Sequence, residues 1–130
     1  MWNIVPGKSA GPFELGHEPD EYFDELPGAF DIFKRFPDSE DIYDFSEDRV
    51  HLTVDSENKI IEIAVFRPNE VYLGEVQFLN RPIQELALEL KSTNYLFESV
   101  DVGLESDELG IVVVEVDELV DCVEVRKTDS

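Results

Sequence analysis

The sequence predicts an α+β fold: a mostly antiparallel sheet carrying two helices on one face, made by tandem duplication of a strand–helix–strands unit. Three observations predict it. Val50, Leu52 and Val54 alternate with His51 and Thr53, a polar turn follows over 55–59, and Ile61, Ile63 and Val65 then alternate with Glu62 and Ala64. Period-two alternation on both sides of a turn marks an antiparallel hairpin with one apolar face. Two further stretches show helical spacing close behind a proline, at Pro19 and at Pro82. Finally, the halves match. Gly11, Phe13, Leu15 and Pro19 correspond to Gly74, Val76, Phe78 and Pro82, and Val54, Asp55, Ile61, Glu62 and Ile63 to Val116, Asp117, Val123, Glu124 and Val125. The chain thus reads as a single domain over 1–130 with pseudo-repeats near 4–66 and 71–126.

The elements follow in order. Residues 3–6 are short and extended, 7–11 form a turn, and 12–15 alternate like a brief strand. Pro19 opens the first expected helix, with Tyr22, Phe23 and Leu26 on one side and Asp20, Glu21, Asp24 and Glu25 on the other. Proline at a helix start and acids in its first turn both suit the helix dipole, and Pro27-Gly28 is the expected stop. In 29–36, Phe30 and Ile32 alternate as in a strand, while Phe30 and Phe33 also suit a helical turn; the strand is preferred. Residues 42–45 form a short strand before an acidic turn and the hairpin. Arg67-Pro68-Asn69 breaks the chain, and 71–79 is extended. Asn80 is the expected N-cap of a second helix over 81–91, with Ile83, Leu86, Ala87 and Leu90 as its apolar stripe. Residues 95–104, 111–116 and 122–126 read as strands, and the last four residues as a polar tail.

Charge is the unusual feature. Thirty-one acidic residues face 10 basic ones, a formal net charge of −21, beside 42% apolar and 11% aromatic content. Enough apolar material is present for a core. The charge argues against binding nucleic acid or an anionic membrane, because phosphate contacts need clustered Lys and Arg. Natural partners of this surface are cationic. The only cysteine, Cys122, permits no intramolecular disulfide, which favours a reducing compartment. MWNIVPGKSAG lacks the apolar core of a signal peptide, and no apolar run reaches membrane-helix length. These features imply a soluble, cytoplasmic protein.

Catalytic constellations are missing from the sequence. His17 and His51 have no metal-ligand spacing, and His51 falls on the polar face of the hairpin. Cys122 lies in an apolar alternation, which suits a buried thiol, and no base accompanies it. The three glycines of 7–16 lack the Gly-Lys-Ser/Thr of a phosphate loop. Residues 55–58 lack the glycine and glutamate of a calcium loop. No enzyme activity, cofactor or metal is therefore expected.

Acids interleaved with aromatics carry the functional expectation. Asp38, Glu40, Asp41, Asp44, Glu47 and Asp48 crowd together with Tyr43 and Phe45. Asp101, Glu105, Asp107 and Glu108 occupy the equivalent stretch of the second half. Such clusters suit docking of a basic protein, with electrostatic steering to association rates of ~10⁸ M⁻¹s⁻¹ or more at low salt. Exposed edge strands are also expected to pair with a partner or with a second copy.

The opening IVPGKSAGPFELG resembles that of small bacterial toxin-immunity proteins. The tandem sheet-and-helix halves resemble the architecture of beta-lactamase inhibitor protein. These resemblances imply an inhibitor or immunity protein that neutralises a basic toxin or enzyme, such as a nuclease. Two other readings remain open: a halophilic protein whose acidity is solvent adaptation, and a metal-binding module built from carboxylates.

Overall fold

Alternation of apolar and polar residues turns most of the chain into strand. The computed structural model describes residues 2–26 and 28–128. The first half forms β1 (Trp2–Val5), β2 (Ser9–Ala10), β3 (Phe13–Glu14), one 3-10 turn (Pro19–Tyr22), and a meander of β4 (Asp31–Phe33), β5 (Ile42–Phe45), β6 (Val50–Val54) and β7 (Ile60–Phe66). The second forms β8 (Val71–Leu73), β9 (Val76–Gln77), helix α1 (Ile83–Lys91), and a meander of β10 (Glu98–Val100), β11 (Gly103–Ser106), β12 (Ile111–Val116) and β13 (Leu119–Arg126). The meanders join at β13 and β7 into one eight-stranded antiparallel sheet, ordered β10-β11-β12-β13-β7-β6-β5-β4. A second sheet, β3-β2-β1-β8-β9, contains the parallel pair β1 and β8.

The expected fold class is therefore corrected. The molecule is mainly β, with two sheets and, among the described residues, one α-helix rather than two helices on one face. The stretch after Pro19 coils only into a 3-10 turn, although Glu18 and Glu21 close a capping box. Asp20 and Asp24, and Glu21 and Glu25, would stand at i and i+4 on a helix, where like charges repel. So short a segment has little helical stability of its own to offset that repulsion. Its aromatics are claimed by the core instead. Tyr22 meets Phe13 edge-on at 5.1 Å and its hydroxyl accepts the Glu14 N–H, while Phe23 stacks on Phe30 at 4.8 Å. The expected stop at Pro27 lies outside the described residues, and of the polar tail only Lys127 and Thr128 are described.

Other boundaries shift for local reasons. Residues 71–79 split into a hairpin at Gly74, which has a φ of 60°. Residues 95–104 also split, because Gly103 with a φ of 153° turns β10 back as β11. Asn80 has a φ of 62°, so it shapes a turn and leaves the N-cap to Pro82. The Ile83 N–H donates instead to the Glu118 carbonyl. A register shift at Thr53/Val54 puts Ile60 rather than Ile61 in the core.

One apolar core unites the second sheet, α1 and the inner face of the large sheet. Ile4, Phe13, Val71, Leu73, Leu86 and Leu90 pack in one cluster with Phe45, Leu52, Ile63, Val65, Val113, Val123 and Val125. Each fully buried aliphatic or Phe side chain contributes roughly 1.5–3 kcal/mol by leaving water. Among the described residues, four buried apolar ones stand outside this cluster: Ile42, Ala64, Val112 and Cys122. By strand register all four point from the opposite face of the large sheet.

Candidate functional site

A sheet with its helices on one face leaves the other face free; what the sequence did not reveal is which side chains meet on that outer face. Pairing aligns it in rows. Glu105 lies beside Val112, Val112 beside Glu124, and Glu124 beside Ala64. Arg126 lies beside Glu62, Cys122 beside Phe66, and His51 between Ala64 and Asp44. The face sets small buried apolar groups, Ala64, Val112 and Cys122, among charged ones. Arg35, which follows β4 at one edge, and Asp101-Val102, which turn β10 into β11 at the other, line the same groove of about 440 Å³ with Glu105, Glu124 and Arg126. Opposite corners of the sheet thus meet over one concavity, as strand twist accumulated across eight strands allows.

At its centre Arg126 bridges two carboxylates. Its Nε donates to Glu62 Oε2 and its Nη2 to Glu124 Oε1, both at 2.8 Å. Glu124 is only 9% exposed. Burial raises its pKa and Glu62 raises it further, against Arg126 and Arg35. Burial lowers the pKa of Arg126, but the attraction of Glu62 and Glu124 outweighs it and the net shift is upward. Burial drives the Cys122 thiol far above its ordinary range, so it stays protonated and is a packing group.

An aromatic row crosses β4, β6 and β7 on the same face. His51 meets Phe33 edge-on at 5.6 Å and Phe66 at 4.7 Å, and Arg49 lies over the Phe66 ring. His51 Nε2 sits 3.2 Å from Asp44 Oδ1, while its Nδ1 is buried with no hydrogen-bond partner among the described residues. Burial lowers its pKa, opposed by Asp44. His51 lies on the polar face of the hairpin, but that face packs around it and leaves its side chain only 22% exposed.

The expected docking residues do not form one surface. Asp38, Glu40 and Asp41 lie in the loop from β4 to β5, where Asp41 pairs with Lys34 at 2.8 Å. Asp107 and Glu108, in the turn from β11 to β12, share that end of the sheet. Glu47, Asp48 and Asp101 lie in turns at the other end. Asp44 and Glu105 are on the outer face. Phe45 is 1% exposed and belongs to the core. Tyr43 also points inward, stacking on Phe30 at 5.4 Å and donating its hydroxyl proton to Asn58 Oδ1. Neither aromatic is free to grip a partner. The exposed apolar groups near the acids are instead Ile32, Phe33 and Phe36, at 53%, 37% and 71% exposure.

Sequence reasoning also missed Arg35, Glu62, Glu124 and Arg126. For the last three the local signal was the second phase of alternation in β7 and β13, Glu62-Ala64-Phe66 and Cys122-Glu124-Arg126, which acquires meaning only when those strands pair. Among the described residues, no three His, Cys, Asp or Glu side chains converge to hold a metal ion. No helix there is long and apolar enough to cross a membrane. Comparison with protein-family models, with curated proteins and with solved structures gives no match to this chain.

Proposed function

We propose that this chain is an acidic binding protein of the inhibitor or immunity type, which holds a basic protein partner, such as a toxin or nuclease, rather than turning over a substrate. The observation that carries this reading is the outer face of the large sheet. It sets Ala64, Val112 and Cys122 among charged groups, with no sheet or helix packed on it among the described residues, on a chain with a formal net charge of −21. A concave face of this kind suits a convex partner, and the surplus acid selects a cationic one. The ionisable groups at its centre, Arg126 with Glu62 and Glu124, are paired as structural ion pairs, and among the described residues no nucleophile stands beside a base there. A cytoplasmic setting is part of the proposal, since it keeps the Cys122 thiol reduced.

The test is recovery of the protein from its native cells, followed by calorimetry with the purified partner. The expected partner is a basic protein bound in fixed stoichiometry, with affinity falling steeply as salt rises. Glu105→Arg should weaken that complex by at least about tenfold, because a charge reversed at a rim meets like charge on the partner. Absence of any stoichiometric basic partner, or an affinity indifferent to both salt and Glu105→Arg, would refute the proposal.

A further inference from the structure

The large sheet ends in two free edges, and they are unlike. β10 presents Glu98 and Ser99, with Glu98 directly opposite Glu105. Charge on an edge discourages further pairing. β4 presents Ile32 and Phe33, continuing to Phe36, and all three of its residues are exposed. Backbone geometry decides which of its groups are free. The Val54 N–H donates to the Asp41 carbonyl, so odd-numbered residues of β5 bond towards β6 and even-numbered ones towards β4. On β4 the residues opposite Ile42 and Asp44 are Phe33 and Asp31. Those two bond inward, and the N–H and C=O of Ile32 point away from the sheet.

From this edge we infer that β4 is a docking strand: an extended, cationic segment of the partner adds to it as a ninth strand through Ile32. Main-chain bonds to Ile32 would supply binding, and the side chains flanking it would supply selectivity. Charge complementarity chooses the occupant. Asp31 on β4 stands beside Asp44 on β5, and the adjoining loop sets Asp38, Glu40 and Asp41 against Lys34 and Arg35, with Lys34 already paired to Asp41. A second copy would bring another net charge of −21 to the same place. The inference rests on the proposed basic partner and specifies how it is held.

The probe is a peptide of about nine residues alternating Lys and Val, a typical strand length. Its control is the same peptide with N-methylated backbone amides, which keeps the charge and side chains but removes the donors. The alternating peptide should bind at least about tenfold more tightly than the control and slow hydrogen exchange at the Ile32 amide. Ile32→Pro should abolish that advantage without unfolding the sheet, because an outward N–H of an edge strand is one that proline can replace. Retained folding is checked by unchanged exchange protection in β6 and β7. Equal binding of both peptides would overturn strand addition and leave the cationic-partner reading standing. Binding of neither would sink both. Sedimentation of the free protein as a dimer with a protected Ile32 amide would overturn the choice of occupant.

Discussion

Ile63 stands directly opposite Val125 where β7 pairs with β13 and joins the two meanders into one sheet. Both are fully buried, one pair in from the end of the joint. Ile63→Ala should cost about 2–5 kcal/mol, the usual range for truncating a buried isoleucine. Val125→Ala should also destabilise, by somewhat less. Because the side chains are neighbours, the double variant should depart from additivity by about 0.5 kcal/mol or more. Urea denaturation of the four proteins measures this.

Gly103 has a backbone that a side chain cannot share. Its φ is 153°, and a Cβ there would lie 2.2 Å from the Val113 carbonyl oxygen. The obstacle is the neighbouring strand, which cannot swing aside as a flexible side chain can. Gly103→Ala should therefore cost more than about 1 kcal/mol. Gly74→Ala is the comparison: its φ is 60°, but its nearest obstacle is the Tyr95 hydroxyl, at the end of a side chain. Thermal melts should rank Gly103→Ala as the more damaging change.

His51 makes stability depend on pH. Its pKa is lowered in the fold by burial, from an ordinary value of 6.5, so between the folded and unfolded values the unfolded chain binds more protons. Stability should thus fall as pH drops below about 6.5. His51→Phe, which keeps a ring between Phe33 and Phe66, should remove this component. Denaturant titrations above and below that pH give the two slopes.

Glu124 acts in the opposite sense. Burial and Glu62 raise its folded pKa above the ordinary 4.5, so its contribution is fully present below 4.5 and is lost as pH rises through the folded value. Glu124→Gln retains an oxygen for Arg126 and removes the repulsion from Glu62. The variant should equal or exceed the parent in stability at neutral pH, and its relative advantage should vanish on acidification. A neutral-pH loss of stability would show that the ion pair with Arg126 outweighs the repulsion.

Salt separates docking from halophily. A protein whose acids serve a partner should remain folded in dilute buffer, held by the apolar core beneath the large sheet. Added salt should then raise its melting temperature only modestly, by screening self-repulsion. Unfolding in dilute buffer with recovery in molar salt would favour solvent adaptation. Circular dichroism across a salt series distinguishes the outcomes.

Much of the strand pattern was legible in the sequence because each strand carries its own evidence. Val50, Leu52 and Val54 announce a buried face whatever lies beyond them, and Gly11 and Gly74 mark corresponding turns. The helix after Pro19 was misread because its spacing is helical while its charges and aromatics serve other ends: Tyr22 and Phe23 are held by Phe13 and Phe30. The docking clusters were misassembled because nearness in sequence is not nearness in a meander, where successive turns alternate between the ends of the sheet.

By itself, the sequence determined the apolar faces, the turns and the surplus of negative charge, all of which arise from residues a few positions apart. Tertiary structure alone decided that β7 meets β13, that Glu62, Glu124 and Arg126 share one ion-pair network, and that Ile32 is left on a free edge. Those depend on pairings between distant segments, whose register is selected by burying both halves of the core together.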